Sequence, residues 1–181
     1  MARPALPARR LAALLLAAPL LGSCATTSPS AMDDDAVTPT PEQSAELLDL
    51  VQRAFDAIRD GDPAAWDDLL LQDGGFTAFD SASRSARFTS FDDLRGRAAG
   101  EAGRYLERCW DPRILIEGDL AMIWTPYDFH IDGRFSHSGI DVFTVVRTAD
   151  GWRIASIAYT VDREQRDDNP LPPVAAPEVT P

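Results

Sequence analysis

The chain predicts an α+β domain in which helices come first and long antiparallel strands follow. Two observations carry this. Leu120 to Val161 holds three runs rich in Val, Ile, Phe, Trp, Tyr and Thr, parted at Asp132-Gly133 and at Asp150-Gly151. Asp-Gly between such runs marks a hairpin, because the tight turns that match strand twist need positive φ. Well before them, Leu47, Leu48, Val51, Ala54, Phe55 and Ile58 recur at helical spacing.

The elements follow in order. Residues 1–23 read as a targeting segment: Arg3, Arg9 and Arg10 precede an apolar run, Leu11 to Leu21, too short to cross a bilayer as a helix. The run ends at Leu21-Gly22-Ser23-Cys24, which resembles the lipobox of bacterial lipoproteins. That resemblance implies cleavage before Cys24, lipid attachment to it, and a protein anchored in the bacterial cell envelope, facing the periplasm or the exterior. An ordinary secretory signal with a chance Cys is the other reading. Residues 24–40 are polar without a hydrophobic period and are expected to be a disordered tether. The domain proper spans 41–163, and the Pro-rich 164–181 reads as a loose, disordered tail.

Within the domain, Thr40 caps a first helix, with Pro41 at its first position and Gln43 completing a capping box. Gly61 ends it. Asp62-Pro63 starts a second helix through Trp66 to Leu71, stopped by Asp73-Gly74-Gly75. Phe76 to Asp80 and Arg87 to Thr89 form a short hairpin. Ser90 caps a third helix, Phe91 to Ala99. Tyr105 to Ile116 is the first long strand, bent or bulged at Asp111-Pro112 because Pro cannot donate to the ladder. The three runs of the opening argument complete the sheet.

Composition excludes several functions. The formal net charge is −12, and without the three Arg of the leader it is −15 (−12 − 3). Every basic residue is Arg, which excludes a catalytic lysine, a Schiff base and a P-loop. An acidic chain with no basic patch is an improbable nucleic-acid partner. With Cys24 lipidated, Cys109 is the remaining thiol and reads as a buried structural residue. Two His without a second free Cys give no metal spacing, and no cofactor is expected.

The element order, together with Ala57-Ile58-Arg59-Asp60-Gly61-Asp62 leading to Trp66, Gly118 to Trp124, Ser136 to Asp141 and Asp150-Gly151-Trp152-Arg153-Ile154, resembles the nuclear transport factor 2-like superfamily. The resemblance covers nearly the whole domain. It implies a strongly curved antiparallel sheet wrapped around three helices, with a cone-shaped pocket between them. Members include ketosteroid isomerase, polyketide cyclases, dehydratases and transport adaptors, so the fold leaves activity open.

Candidate site residues follow from hairpin register. With a two-residue loop at Asp132-Gly133, His137 lies opposite Asp128 and Trp124 opposite Asp141. One face then carries Met122, Trp124, Asp128 and His130 with His137, Asp141, Phe143 and Val145, the composition of a pocket floor. Asp128 beside His137 is the beginning of a general base, or else a plain cross-strand pair. His130 lies nearer the rim. A three-residue loop in the last hairpin sets Tyr159 opposite Asp141, either for proton transfer or as a structural hydrogen bond. The expected ligand pocket is therefore Trp124, Asp128, His137, Asp141 and Tyr159. The other face, with Ile123, Tyr127, Ile140, Val142 and Val146, is too apolar to stand in water and predicts a homodimer. Two functional classes remain: an envelope-tethered module binding a small apolar or amphipathic ligand or a protein partner, and an enzyme of isomerase, cyclase or dehydratase type doing acid–base chemistry in the same pocket.

Overall fold

A computed structural model describes residues 37–98 and 104–174. The leader, Cys24 and most of the tether lie outside the described residues.

Helix α1 (Pro41–Asp60) begins with the expected capping box. The Thr40 hydroxyl accepts from the Gln43 amide at 3.2 Å, and the Gln43 side chain accepts from the Thr40 amide at 2.8 Å. Gly61 closes the helix in the left-handed region, φ 59°, where a Cβ would be strained. Leu47, Leu50, Val51, Ala54, Phe55 and Ala57 form its buried stripe.

The second helix is shorter than expected. Asp62 accepts from the Ala64 amide, but only a 3-10 turn, Ala64–Trp66, follows. From Leu70 the chain is strand β1 (Leu70–Asp80), running parallel to β7 (Gly151–Val161) with Leu70 opposite Ile154. A short apolar run cannot tell helix from buried strand by its period, and here pairing with β7 decided. Gly74-Gly75 does not stop an element; it lies inside β1, where the register shifts. A Cβ on Gly74 would sit 2.5 Å from the Ala155 carbonyl oxygen, so close approach to β7 requires glycine.

Strand β2 (Ser85–Ser90) pairs antiparallel with β1, and Ser90 caps α2 (Phe91–Ala98). Asp111, at φ 46°, and Pro112 break the first long strand into β3 (Tyr105–Cys109) and β4 (Arg113–Glu117), both pairing with β5 (Leu120–Ile131). Strand β6 (Arg134–Thr148) lies between β5 and β7. The order β2-β1-β7-β6-β5-β3 forms one strongly curved, mixed sheet. The expectations of three helices and a purely antiparallel sheet are corrected to two α-helices, a 3-10 turn and one parallel pair.

Two bulges set which side chains face inward. In the first hairpin His130 pairs with Phe135, but Phe129 pairs with His137, so Ser136 is an extra residue in β6. One extra residue flips every later side chain relative to the partner strand. Asp141 therefore opposes Thr125 rather than Trp124, and His137 opposes Phe129 rather than Asp128. In the second hairpin Val145 pairs with Ile154 and Thr144 with Ser156, leaving Ala155 extra. This bulge, not a three-residue loop, brings Tyr159 opposite Asp141.

The core lies between α1 and the concave face. Leu47, Leu50, Val51 and Ala54 pack with Trp66, Ile123, Phe143, Val145 and Ile154. Phe55 meets Phe143 edge-on, 6.1 Å between centroids. Full burial of such a side chain is worth roughly 1.5–3 kcal/mol.

The tail up to Val174 is not loose. The Ser138 hydroxyl donates to the Glu164 carbonyl at 2.7 Å, Asn169 Nδ2 donates to Asp128 at 2.8 Å, and Arg108 Nη1 donates to the Pro172 carbonyl at 2.7 Å. Buried Asp128 needs partners, and the tail supplies one.

Candidate functional site

Curvature of the sheet leaves a cavity of about 290 Å³ over its concave face. Helix α1 contributes Ala54, Phe55 and Ile58, the 3-10 turn Trp66, and α2 Leu94. The sheet contributes mostly rings, among them Phe76, Tyr105, Tyr127, Phe129, Phe143 and Tyr159. Two carboxyls, Glu107 and Asp141, interrupt this wall, with His137 beside them.

Asp141 is 2 % exposed. It forms a carboxyl–carboxylate hydrogen bond with Glu107 across the wall. Burial, then the charge of Glu107 and that hydrogen bond, hold Asp141 well above the ordinary carboxyl range. Glu107 is pushed up to about 7, chiefly by burial, with the hydrogen bond from Asp141 opposing and the charge of Asp128 adding. Asp141 is buried and Glu107 half-buried, and two carboxyls side by side in an apolar wall do not both ionise, so one proton is shared. The shared proton belongs to the pair, and both carboxyls are pushed above their ordinary range. Asp141 Oδ2 has no hydrogen-bond partner among the described residues.

The rings around the pair are not free acids. Tyr127 donates its hydroxyl to the Thr160 carbonyl at 2.8 Å, and burial followed by the two carboxyls pushes its phenol far up. Tyr159 packs edge-on to Tyr127 at 6.2 Å and is pushed up to about 12 by burial and the same carboxyls. His137 stacks on Phe129 at 5.0 Å, with Nδ1 3.0 Å from the Ser136 hydroxyl. Burial, helped by Arg163, pushes it down to about 4, so it is neutral at neutral pH. The Cys109 thiol is pushed up to about 11 by burial and is no nucleophile.

Of the residues expected in the pocket, His137, Asp141 and Tyr159 line the cavity; Asp128 and Trp124 do not. The Ser136 bulge puts those two on the other side of the sheet. Trp124 lies half-buried under the Arg113 guanidinium, 5.7 Å from its ring centre. Asp128, 2 % exposed, is clamped by Arg108, whose Nε donates at 2.9 Å and whose Nη2 donates to the other oxygen. His130 Nδ1 is 3.7 Å from Asp128 without a hydrogen bond. The expected Asp128–His137 base therefore does not form.

Glu107 was not anticipated, although a signal existed. Alternation along Tyr105–Cys109 sets Tyr105, Glu107 and Cys109 on one face and Leu106 and Arg108 on the other. The Arg108–Asp128 clamp fixes which face is outer. Among the described residues no group of three His, Cys, Asp or Glu is arranged to hold a metal ion.

No family model and no curated protein matches the chain. Solved structures do. A nuclear transport factor 2-like protein of unknown function from Silicibacter pomeroyi shares 20 % identity, with 69 % of this chain and all of that one covered, TM-score 0.53. A Novosphingobium aromaticivorans protein, described as nuclear transport factor 2-like with a cystatin-like fold, shares 18 % identity over 71 % of this chain and 85 % of that one, TM-score 0.54. A Mycobacterium tuberculosis protein of unknown function shares 18 % over 70 % and 80 %, TM-score 0.56. The bulged, curved sheet closed by α1 and these likenesses lead to one conclusion: this chain has the nuclear transport factor 2-like, cystatin-like fold.

Proposed function

We propose that the domain holds one small, largely apolar molecule in the concave cavity, with its polar group against Glu107 and Asp141. The observation that supports this is a ring-lined cavity of about 290 Å³ whose wall carries buried Asp141 beside half-buried Glu107. A wall built only for stability would not place two acids there, since each costs solvation on burial. The test is binding of an apolar small-molecule library to the wild-type protein and to Ala54→Phe, which fills the cavity. Wild-type binding lost in a folded Ala54→Phe supports the reading; a wild type that binds nothing defeats it.

A second reading has its own support. Glu107, pushed up to about 7, is matched to a general base, and Asp141, whose Oδ2 has no partner among the described residues, lines the same wall to take up or pass on a proton. In that case Asp141→Asn keeps the fold and the ligand while abolishing turnover. If Asp141 serves structure alone, binding and stability fall together.

Two proposals concern setting. The dimer surface expected from the sequence needs revision: Ile123 and Tyr127 lie inside the core at 0 % and 1 % exposure. The outer face instead presents Leu115, Leu120 and Met122, with half-buried Trp124, Val142 and Val146 beside them. A second copy of the chain covers this strip in our reading. We also retain lipid attachment at Cys24 and envelope anchoring, on the residues Leu21-Gly22-Ser23-Cys24 alone. Mass spectrometry of the mature protein finding an unmodified Cys24 would sink that proposal.

A further inference from the structure

Resting on the reading that the cavity holds a ligand, we propose that its ligand class is organic cations: an ammonium group against Glu107 and Asp141, with hydrocarbon against the aromatic walls. Three features of the cavity carry this.

The first is an unmet electrostatic demand. Asp141 is buried, lines the cavity, and leaves Oδ2 without a hydrogen-bond partner. Beside it Glu107 lines the same wall. One proton between two acids leaves one negative charge in an apolar enclosure. The residues lining the cavity, among those described, include no Arg. Arg108, near in sequence, is spent on Asp128 on the other side of the sheet.

The second is the wall. Phe55, Trp66, Phe76, Tyr105, Phe129 and Tyr159 all contribute to the lining. Ring faces carry negative potential and attract a cation within about 6 Å of the centroid, most strongly when water is excluded. Rings with a carboxylate at one end match an ammonium joined to hydrocarbon. The third feature is what the alternatives leave undone. An anion would set a second negative charge beside the first. A neutral hydrocarbon would leave the charge uncompensated.

A cation and the shared proton compete for the same charge. The groups facing Glu107 are few. Asp141 and neutral His137 come from β6, Tyr127 and, through the sheet, Asp128 from β5, Tyr159 from β7, and Tyr105 and Cys109 from its own strand. Helix α1, the 3-10 turn and α2 bring only uncharged side chains to the lining. Arg87 acts electrostatically on Tyr159, and Arg163 on Tyr127 and His137, without lining the cavity. Affinity for a permanent cation should therefore fall about tenfold per pH unit below the Glu107 titration.

The test compares benzyltrimethylammonium with neopentylbenzene, its neutral carbon isostere, and with phenylacetate, by calorimetry on the wild-type chain. At pH 8 we expect the cation to bind at least tenfold tighter than the isostere and the anion not to bind. At pH 5.5 the preference should shrink by more than tenfold. The double variant Glu107→Gln/Asp141→Asn should bind the isostere, which shows that it is folded, and should lose the preference. Should that variant fail to fold, the wild type still decides. Titrations at pH 7 in two buffers of different ionisation enthalpy should show proton release on binding the cation and none on binding the isostere. An isostere bound as tightly as the cation at pH 8, or cation binding with no proton release, overturns the proposal and leaves the ligand-binding reading standing. A wild type that binds neither probe nor any library compound overturns both.

Discussion

Replacing Glu107 by Gln should change how stability depends on pH, and the size follows from the cavity. In the folded chain Glu107 titrates at about 7, against an ordinary value of 4.5. The sign follows from linkage. An acid whose folded value is raised binds its proton more tightly when folded, so its contribution is fully present below 4.5 and is lost as pH rises to about 7. Wild-type stability should fall across that window. The difference corresponds to roughly 3 kcal/mol at about 1.4 kcal/mol per pH unit, and water at the open side of half-buried Glu107 reduces it toward roughly 2. Asp141 shifts in the same direction. A chain of this acidity loses some stability with rising pH through general repulsion as well. The informative quantity is therefore the difference between wild type and Glu107→Gln. Urea unfolding of both at pH 5, 6, 7 and 8 and constant ionic strength measures it. The variant should match or trail the wild type at pH 5 and exceed it at pH 8. Parallel curves would refute the reasoning, because they would mean that Glu107 titrates alike in the folded and unfolded chain.

Three further outcomes are expected. Gly139→Ala would bring a Cβ within 2.1 Å of the Thr160 carbonyl oxygen, the atom that holds the Tyr127 hydroxyl; a loss of about 1–3 kcal/mol in urea unfolding is expected, and an unchanged midpoint would refute the close approach. Asn169→Ala removes the donor to Asp128 and the acceptor for the Leu171 amide; trypsin should cleave after Arg166 faster than in wild type while the domain melts within about 1 kcal/mol of it. Leu120→Glu with Met122→Glu charges the outer strip, where these residues are 53 % and 37 % exposed; sedimentation should show a wild-type dimer and a folded monomeric variant, and a wild type monomeric at high concentration would remove the dimer proposal.

Much of this protein was legible in the sequence because the signals are local. Thr40, Pro41 and Gln43 define a helix start within four residues, and Gly61 a helix end, since caps depend on neighbouring backbone groups. The Asp132-Gly133 and Asp150-Gly151 turns likewise announced their hairpins, with positive φ at Asp132, Gly133 and Gly151. Tertiary structure decided what lies far apart in the chain. Leu70-Leu71 became strand because β7 offered a parallel edge, which no local period encodes. Most of all, the extra residue at Ser136 slipped the register by one. That slip sent Asp128 and Trp124 outward, and Tyr127 and Phe129 inward beside His137 and Asp141. A bulge inverts a face at the cost of one unpaired residue, so its position depends on how the whole sheet curves over α1. For the same reason Glu107, ordinary in its own strand, became the partner of Asp141 only when β3 was laid along β5.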